Sequence, residues 1–395
     1  MEENLAFPTK NIILKYNSLN SFWYRLKDIK EYPKSLKPGD FVKIFGKNGK
    51  FLALGYMNPN SQISLRILST QEIKITKNFV KNKIIEADRK RDKLKEITDS
   101  YRLIHSEGDL LPGLIIDRFK NVFVIQFNTA GVENLRPFII SSIIELFNPF
   151  AIIEQSDEKM RELEGLPNTN GIIHGQEIEE IEIKEFNARY LINFKKSQKT
   201  GFYLDQRENR KILSALAIDK NVLDLFCYTG GFGINCLLKN AKFVKFVEIS
   251  KEVVSILEKN LKINNINENF EITNANVFKY LENEDKKYDL IIIDPPSFAK
   301  TKNEKKGAIK GYKYLLSKCL KNLNKNGFIA IFSCSYHIEL NDLINLTNEV
   351  CFANNTILEI KKFLFQDFTD HPYLPQIPQT LYLKGILMQK ISISP

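Results

Sequence analysis

Five short apolar runs recur between residues 221 and 333, each separated from the next by an amphipathic or charged stretch. They read NVLDLF (221–226), FVKFVE (243–248), FEIT (270–273), YDLIIID (288–294) and GFIAIFS (327–333). Strands that are apolar along their whole length are buried on both faces, and strands that alternate with helices pair in parallel. The spacing therefore predicts an α/β unit from about residue 195 onward. Its helices would include SKEVVSILEKNLKINN (250–265) and YKYLLSKCLKNL (312–323). Sheets of this kind bind ligands at the carboxyl ends of their strands, so the residues that end each run are the first candidates for function.

A chain of 395 residues exceeds one compact core, and the remainder reads differently. Residues 38–68 alternate apolar and polar positions, punctuated by Gly39, Gly46, Gly49, Gly55 and Pro59, which predicts a small β-barrel or sandwich. Residues 71–98 read as a long charged helix with a stripe of Phe79, Val80, Ile84, Ile85 and Leu94. GLIIDRFKNVFVIQFN (113–128) reads as a hairpin turning near Lys120, LRPFIISSIIELF (135–147) as a helix and FAIIEQSD (150–157) as a strand. The expected domains are 1–75, 76–192 and 193–395: a β domain, a central α+β domain and the α/β domain.

Composition excludes several classes. With 43% hydrophobic and 26% charged residues the chain is an ordinary soluble globular sequence. No apolar run approaches the roughly 20 residues that cross a bilayer. The start, MEENLAFPTKNIILKY, is acidic and lacks the apolar core of a signal peptide, so a cytoplasmic protein is expected. The five cysteines form no C-x-x-C pair, which argues against a disulfide framework or zinc ribbon. His105, His174, His337 and His371 show no metal-ligand spacing, and no metal is expected. A net charge of +10 and a pI near 9.1 fit a protein that handles nucleic acid, although many enzymes share them. Residues 1–75 alone carry 12 Lys/Arg against 6 Asp/Glu. Lys300, Lys302, Lys305, Lys306, Lys310 and Lys313 crowd around Glu304 and read as a solvated loop.

NVLDLFCYTGGFGINCLLKN (221–240) is a strand, a glycine turn and a helix. Phe226, Tyr228, Thr229, Gly230 and Gly231 form the turn, and its glycines, with Gly233, let a ligand approach the backbone. The spacing is not G-x-G-x-x-G. Asp224 before the turn repels a phosphate but suits the amino group of a methionine moiety, and Glu248 at the next strand end suits ribose hydroxyls. S-adenosylmethionine fits both; a nicotinamide dinucleotide is the weaker alternative. Asn276 and Val277 follow the third strand, where the Asn276 oxygen would accept from the adenine amine.

The fourth run ends in DPPSFAK, with Asp294 at the sheet edge and Pro295 and Pro296 fixing the chain beyond it. Pro295, Pro296, Ser297, Phe298 and Lys300 are candidate base contacts. The fifth run ends at Cys334. Cys236, Cys319 and Cys351 read as core residues and Cys227 as packing within the glycine turn. Cys334 instead shares the strand-end edge with Asp294. Cytosine C5 is not nucleophilic until a thiolate adds at C6, and an acid near N3 stabilises the charge that then develops. A cysteine and an aspartate on neighbouring strand ends are what that chemistry requires.

Together the stretches SQKTGFYLDQRENR (197–210), LDLFCYTGGFG (223–233), DPPSF (294–298), SCS (333–335) and DHPYLP…LYLKG (370–385) resemble the large-subunit ribosomal RNA cytosine-C5 methyltransferases of the RlmI type. PGDFVKIF and ISLRIL resemble the PUA RNA-binding domain that such proteins carry. The resemblance implies a PUA domain, a central α+β domain and a Rossmann-like class I methyltransferase domain. It implies methyl transfer from S-adenosylmethionine to a cytosine of 23S rRNA, with Cys334 as nucleophile and Asp294 as its partner. It also brings Phe202, Tyr203, Asp205, Gln206 and Arg207 to the cofactor or base pocket. Ser297 stands where related RNA enzymes carry a second cysteine, so the group that removes the C5 proton is open. A homodimer is left open as well. The rival readings are an exocyclic-amine methyltransferase and a non-catalytic RNA-binding assembly factor. His337 and the TDHPYLP stretch, read as an ordered loop near the pocket, are weak candidates for further roles.

Overall fold

The computed structural model describes residues 6–195 and 200–391, in two compact units. The first takes the chain up to Ile181 together with 200–202 and Phe368–Thr380. The second takes Glu182 to 195, Tyr203–Asp367 and the chain from Leu381 on. Among the described residues no helix is long and apolar enough to cross a membrane.

The first unit opens with strands β1 (Thr9–Leu14), β2 (Trp23–Tyr24), β3 (Ile29–Glu31), β4 (Asp40–Phe45), β5 (Phe51–Met57) and β6 (Leu65–Ser69). They form one sheet in the order β2-β6-β5-β4-β1-β3 around Ile12, Leu14, Val42, Ile44, Met57, Leu65 and Ile67. Helix α1 (Lys77–Lys90) is shorter than the 71–98 expected. Thr76 Oγ1 accepts from the Phe79 N–H and fixes its start, and Asp92–Glu96 tightens into a 3₁₀ turn. Its buried stripe is Val80, Ile84 and Ala87, while Phe79 and Ile85 are only half-buried. A second sheet follows, built of β7 (Ser100–His105), β8 (Leu114–Phe119), β9 (Val122–Phe127), β10 (Ala151–Glu154) and β11 (Gly171–Gly175), with α2 (Ala130–Phe147) and α3 (Glu158–Leu163) between them. The expected hairpin is β8 and β9, with Lys120 in the left-handed turn position at φ 55°.

A buried ionic network ties Phe368–Thr380 into this unit. Arg91 donates to both Asp109 oxygens (2.8 and 2.6 Å) and to the Asp370 carbonyl (3.1 Å). The Arg102 N–H donates to Asp370 Oδ2 (3.0 Å), and His371 Nδ1 lies 2.7 Å from Oδ1. The Asp and His of TDHPYLP thus serve a structural network. Asp109→Ala would leave the Arg91 guanidinium buried without its carboxylate. A loss of about 3–5 kcal/mol is expected, read as a lower urea midpoint; a loss below about 1 kcal/mol would contradict this account.

The second unit contains β12 (Glu180–Glu185) from Glu182 on, its hairpin partner β13 (Ala188–Asn193), helix α4 (Arg207–Ala215), and the expected alternation. That alternation runs β14 (Asn221–Leu225), α5 (Gly231–Leu238), β15 (Phe243–Glu248), α6 (Lys251–Ile263), β16 (Phe270–Asn274), α7 (Val277–Asn283), β17 (Tyr288–Ile293), α8 (Lys305–Asn322), β18 (Leu323–Ser333), α9 (Leu340–Ala353), β19 (Ile357–Phe365) and β20 (Lys384–Ile391). The sheet order is β16-β15-β14-β17-β18-β20-β19. The first five strands are parallel, and β20 runs antiparallel between β18 and β19. The chain steps outward from β14 to β16 and then returns to the other side of β14. That reversal opens a crevice beyond the carboxyl ends of β14 and β17. Of the lysine stretch expected as a loop, Lys300 and Lys302 precede α8, whereas Lys305, Lys306, Lys310 and Lys313 lie on it; the helix buries Ala308, Tyr312, Leu315, Leu316 and Cys319 on one face.

Candidate functional site at the carboxyl edge of the parallel sheet

The turn after β14 is held under strain. Phe226 (φ 59°), Tyr228 (φ 50°) and Gly230 (φ 87°) are all left-handed within five residues. Each such non-glycine costs on the order of 1–3 kcal/mol, which surrounding bonds must offset. Here the Asp224 Oδ2 accepts from the Gly233 N–H (2.9 Å), and the Cys227 N–H donates to the Val247 carbonyl (3.2 Å). Asn260 Nδ2 donates to the Thr229 carbonyl (3.0 Å). Glu248 accepts from the N–H groups of Tyr228 (3.1 Å) and Ser250 (2.9 Å). A methyl group on Gly233 would lie 2.1 Å from the Phe246 ring, so only glycine lets α5 settle on β15. At Gly230 a methyl would meet Leu257 at 2.3 Å, and at Gly231 it would meet Arg210 at 3.2 Å.

Two buried oxygens in this turn, Asp224 Oδ1 and Thr229 Oγ1, have no hydrogen-bond partner. Asp224 is fully buried, and that burial pushes its carboxyl up to about 8. The Gly233 N–H opposes the shift, while the charges of Asp294 and Glu248 add to it. Three carboxyl groups from three adjacent strand ends therefore converge. Such a cluster repels phosphate and attracts a cation, the behaviour of a ligand site rather than of packing. The buried, unsatisfied Asp224 oxygen and the Glu248 carboxylate fit an ammonium and a ribose diol.

Asp294 follows the last residue of β17, and Gln206 Nε2 donates to its Oδ2 (3.1 Å). Asn209 Nδ2 fixes Gln206 in turn, through Oε1 (2.6 Å). Tyr203 sets its ring edge-on to Tyr228, with centroids 5.1 Å apart. Arg207 is fully buried; its Nη1 donates to Asp367 (2.9 Å), which makes it a structural tie rather than an open ligand contact. Asp205 accepts from the Tyr382 hydroxyl (2.6 Å), while Phe202 belongs to the first unit. Residues 197–199 of the same stretch lie outside the described residues. Asn276 caps α7: its oxygen accepts from the Phe278 N–H (2.9 Å) and the Lys279 N–H (3.4 Å). The oxygen expected to meet an adenine amine is thus already engaged, and Val277 beside it is buried.

The two turns that carry Asp294 and Cys334 are joined, since Ser335 Oγ donates to the Ala299 carbonyl (2.5 Å). Both residues are partly exposed. Burial first, then Tyr228, and after it the charges of Asp294, Asp205 and Cys334 raise the Tyr203 phenol; Tyr312 is raised by burial and by Cys334 and Asp294. Asp294 and Cys334 therefore lie within electrostatic reach of two common side chains. Pro295 is buried and Pro296 exposed, and Ser297 Oγ turns toward the Ala299 carbonyl (3.4 Å). Phe298 packs on Tyr312 (centroids 5.1 Å), Phe278 (6.1 Å) and Phe226 (6.4 Å), and Lys300 is exposed. Cys227, Cys236 and Cys319 are buried as expected, whereas Cys351 is only partly so. The reading of the sequence missed Lys384, whose Nζ reaches under the Cys334 turn to the Ser335 carbonyl (2.8 Å). The available signal was a lone lysine in an otherwise apolar LYLKGILM run.

Known proteins match these features. Residues 21–70 match the family model described as PUA-like domain, and residues 208–345 match Conserved hypothetical protein 95. Ribosomal RNA large subunit methyltransferase I of Aliivibrio fischeri is 34% identical over 92% of this chain and 93% of that protein. Among solved structures, a candidate SAM-dependent methyltransferase from Streptococcus mutans superposes with a TM-score of 0.81, at 20% identity over 96% of this chain and 100% of that one. SMU.776, a candidate methyltransferase complexed with SAH, gives 0.79 at 20% identity over 93% and 95% of the two chains. The fold is that of an N-terminal PUA-like domain followed by a Rossmann-like methyltransferase domain, and the chain belongs to the family of ribosomal RNA large subunit methyltransferase I.

Proposed function

We propose that the protein transfers the methyl group of S-adenosylmethionine to C5 of a cytosine in 23S rRNA through a covalent adduct on Cys334. The observation that carries this reading is the pairing of Asp294 and Cys334 on neighbouring strand-end turns, joined through Ser335 and Ala299. In this reading residues 1–75 hold RNA, 76–192 form the central domain and 193–395 catalyse. Asp224 receives the amino group of the donor, Glu248 its ribose and the segment around Asn276 and Val277 its adenine. Tyr203, Gln206 and the 226–231 turn close the same pocket.

The donor supplies an electrophilic methyl group. The Cys334 thiolate adds to C6, and the C5–C6 electron pair moves to C5, which then takes that methyl. Asp294, as the acid beside N3, gives its proton to N3 and so neutralises the negative charge that develops on the ring; the proton returns to Asp294 when the sulfur leaves. Loss of the C5 proton and cleavage of the sulfur–C6 bond restore aromaticity and free the enzyme. Pro295, Pro296, Ser297, Phe298 and Lys300 frame the base.

A decisive test uses unmodified rRNA from cells lacking the protein. Incubation with enzyme and donor should yield 5-methylcytidine on nucleoside mass spectrometry, and RNA containing 5-fluorocytidine should trap a covalent complex. Fluorine at C5 cannot leave as a proton, so the adduct persists. An N6-methyladenine or N2-methylguanine product would instead establish exocyclic-amine chemistry, and absence of any product would favour an assembly factor.

A further inference from the structure

We propose that Lys384 is the positively charged group that holds Cys334 in its thiolate form. The inference deepens the reading of Cys334 as nucleophile and rests on it. Lys384 opens β20 and pairs directly with Ser333 of β18, the residue before Cys334. Its Nζ donates to the carbonyl of Ser335, the residue after. The ammonium is thus fastened beneath the Ser333–Cys334–Ser335 turn from both ends. The residue is only 6% exposed, and among the described residues no carboxylate lies within ion-pair distance of it.

A buried ammonium without a counterion is costly, and burial pushes Lys384 down to about 8. The charges that oppose this shift are Cys334, Glu339 and Asp342, with Cys334 the largest. Glu339 and Asp342 are engaged in the capping box of α9, and Asp342 also pairs with Lys305 (2.7 Å). From the other elements, Tyr203 before α4 and Tyr312 on α8 feel the charge of Cys334, and both also feel Asp294 after β17. Both phenols are raised and stay neutral near pH 7, and Asp294 brings no positive charge. Lys384, bonded on both sides of Cys334 through Ser333 and Ser335, is a cation placed to compensate a thiolate here. The thiol proton leaves to solvent, and no bond to Lys384 forms or breaks. Lys384 acts through Cys334, as a positioning residue.

The test is the pH dependence of Cys334 alkylation by iodoacetamide, followed peptide by peptide on the full chain. In the wild type the midpoint should lie below about 8.5, the value of a free cysteine. Lys384→Gln keeps a donor for the Ser335 carbonyl but removes the charge. Its midpoint should rise by about one pH unit, which slows alkylation at pH 7 roughly tenfold. Lys384→Arg should stay near the wild type. An unchanged midpoint in a Lys384→Gln protein that melts and binds S-adenosylhomocysteine normally would overturn the proposal. So would a wild-type midpoint at or above about 8.5, a result that needs no variant to fold. Alkylation requires no methyl transfer, so failure of this pairing and failure of the covalent scheme register in different measurements.

Discussion

Asp224→Asn should raise the melting temperature of the ligand-free protein and abolish its affinity for S-adenosylhomocysteine. The carboxyl is fully buried and titrates at about 8 in the fold, against about 3.9 in an unfolded chain. The folded state therefore holds a proton that the unfolded state releases across this window. The stabilisation from that proton is complete below about pH 4 and is lost as pH rises through about 8. At pH 7 the shift corresponds to a penalty of about 4 kcal/mol, an upper bound for what a neutral amide recovers. Binding reverses the preference, because a ligand ammonium against Asp224 favours the carboxylate. Wild-type affinity should climb by up to tenfold per pH unit toward pH 8. It should fall again only at higher pH, where the free amino-acid ammonium of the ligand loses its own proton. In the asparagine variant the acidic limb should vanish along with at least about 100-fold of the affinity. Thermal scans and calorimetric titrations from pH 5.5 to 9 read both effects. Undiminished affinity in the variant would remove Asp224 from the ligand site.

The reasons some of this was legible in the sequence, and some was not, are physical. The parallel sheet announced itself because strands buried on both faces are apolar throughout, as in Leu290, Ile291, Ile292 and Ile293. The site edge followed, since in such sheets the residue that ends each strand meets the ligand crevice. Strand β19 was invisible for the opposite reason: most of its residues are at least partly exposed, and ILEIKKFLF carries neither a buried run nor a clean alternation. The first turns of α8, before the helix expected from residue 312, were masked by Gly307, Gly311 and the lysines around them, although Ala308 and Tyr312 continue the helical spacing of Leu315 and Cys319. Open space at Gly307 and an ordinary contact with Phe298 at Gly311 show that neither glycine is demanded by a turn. Asn276 illustrates a different limit. A short polar side chain after a strand can cap a helix or face a ligand, and residue type alone does not separate the two. Lys384 escaped because its role depends on a register, Ser333 against Lys384, that only a long-range antiparallel pairing creates.

Replacement of Cys334 by alanine should leave a folded protein that binds S-adenosylhomocysteine normally and transfers no methyl group. The side chain is partly exposed at a strand end, so losing the sulfur should change stability by no more than about 1 kcal/mol. The chemical effect is of another order, because without addition at C6 the C5 position has no electron pair to offer. A loss of at least about 10³-fold in turnover is expected, together with loss of the 5-fluorocytidine adduct. Cys334→Ser should not rescue it, since a serine hydroxyl is far less ionised than a thiol and Lys384 compensates a thiolate only where one forms. The comparison with Asp294→Asn then separates the two roles. That variant should still form the adduct, more slowly, since Gln206 and Asn209 keep their turn in place while the proton donor to N3 is gone. Full activity in Cys334→Ala would move the chemistry to an exocyclic amine, which needs an acceptor beside Asp294 and Pro295 but no sulfur at all.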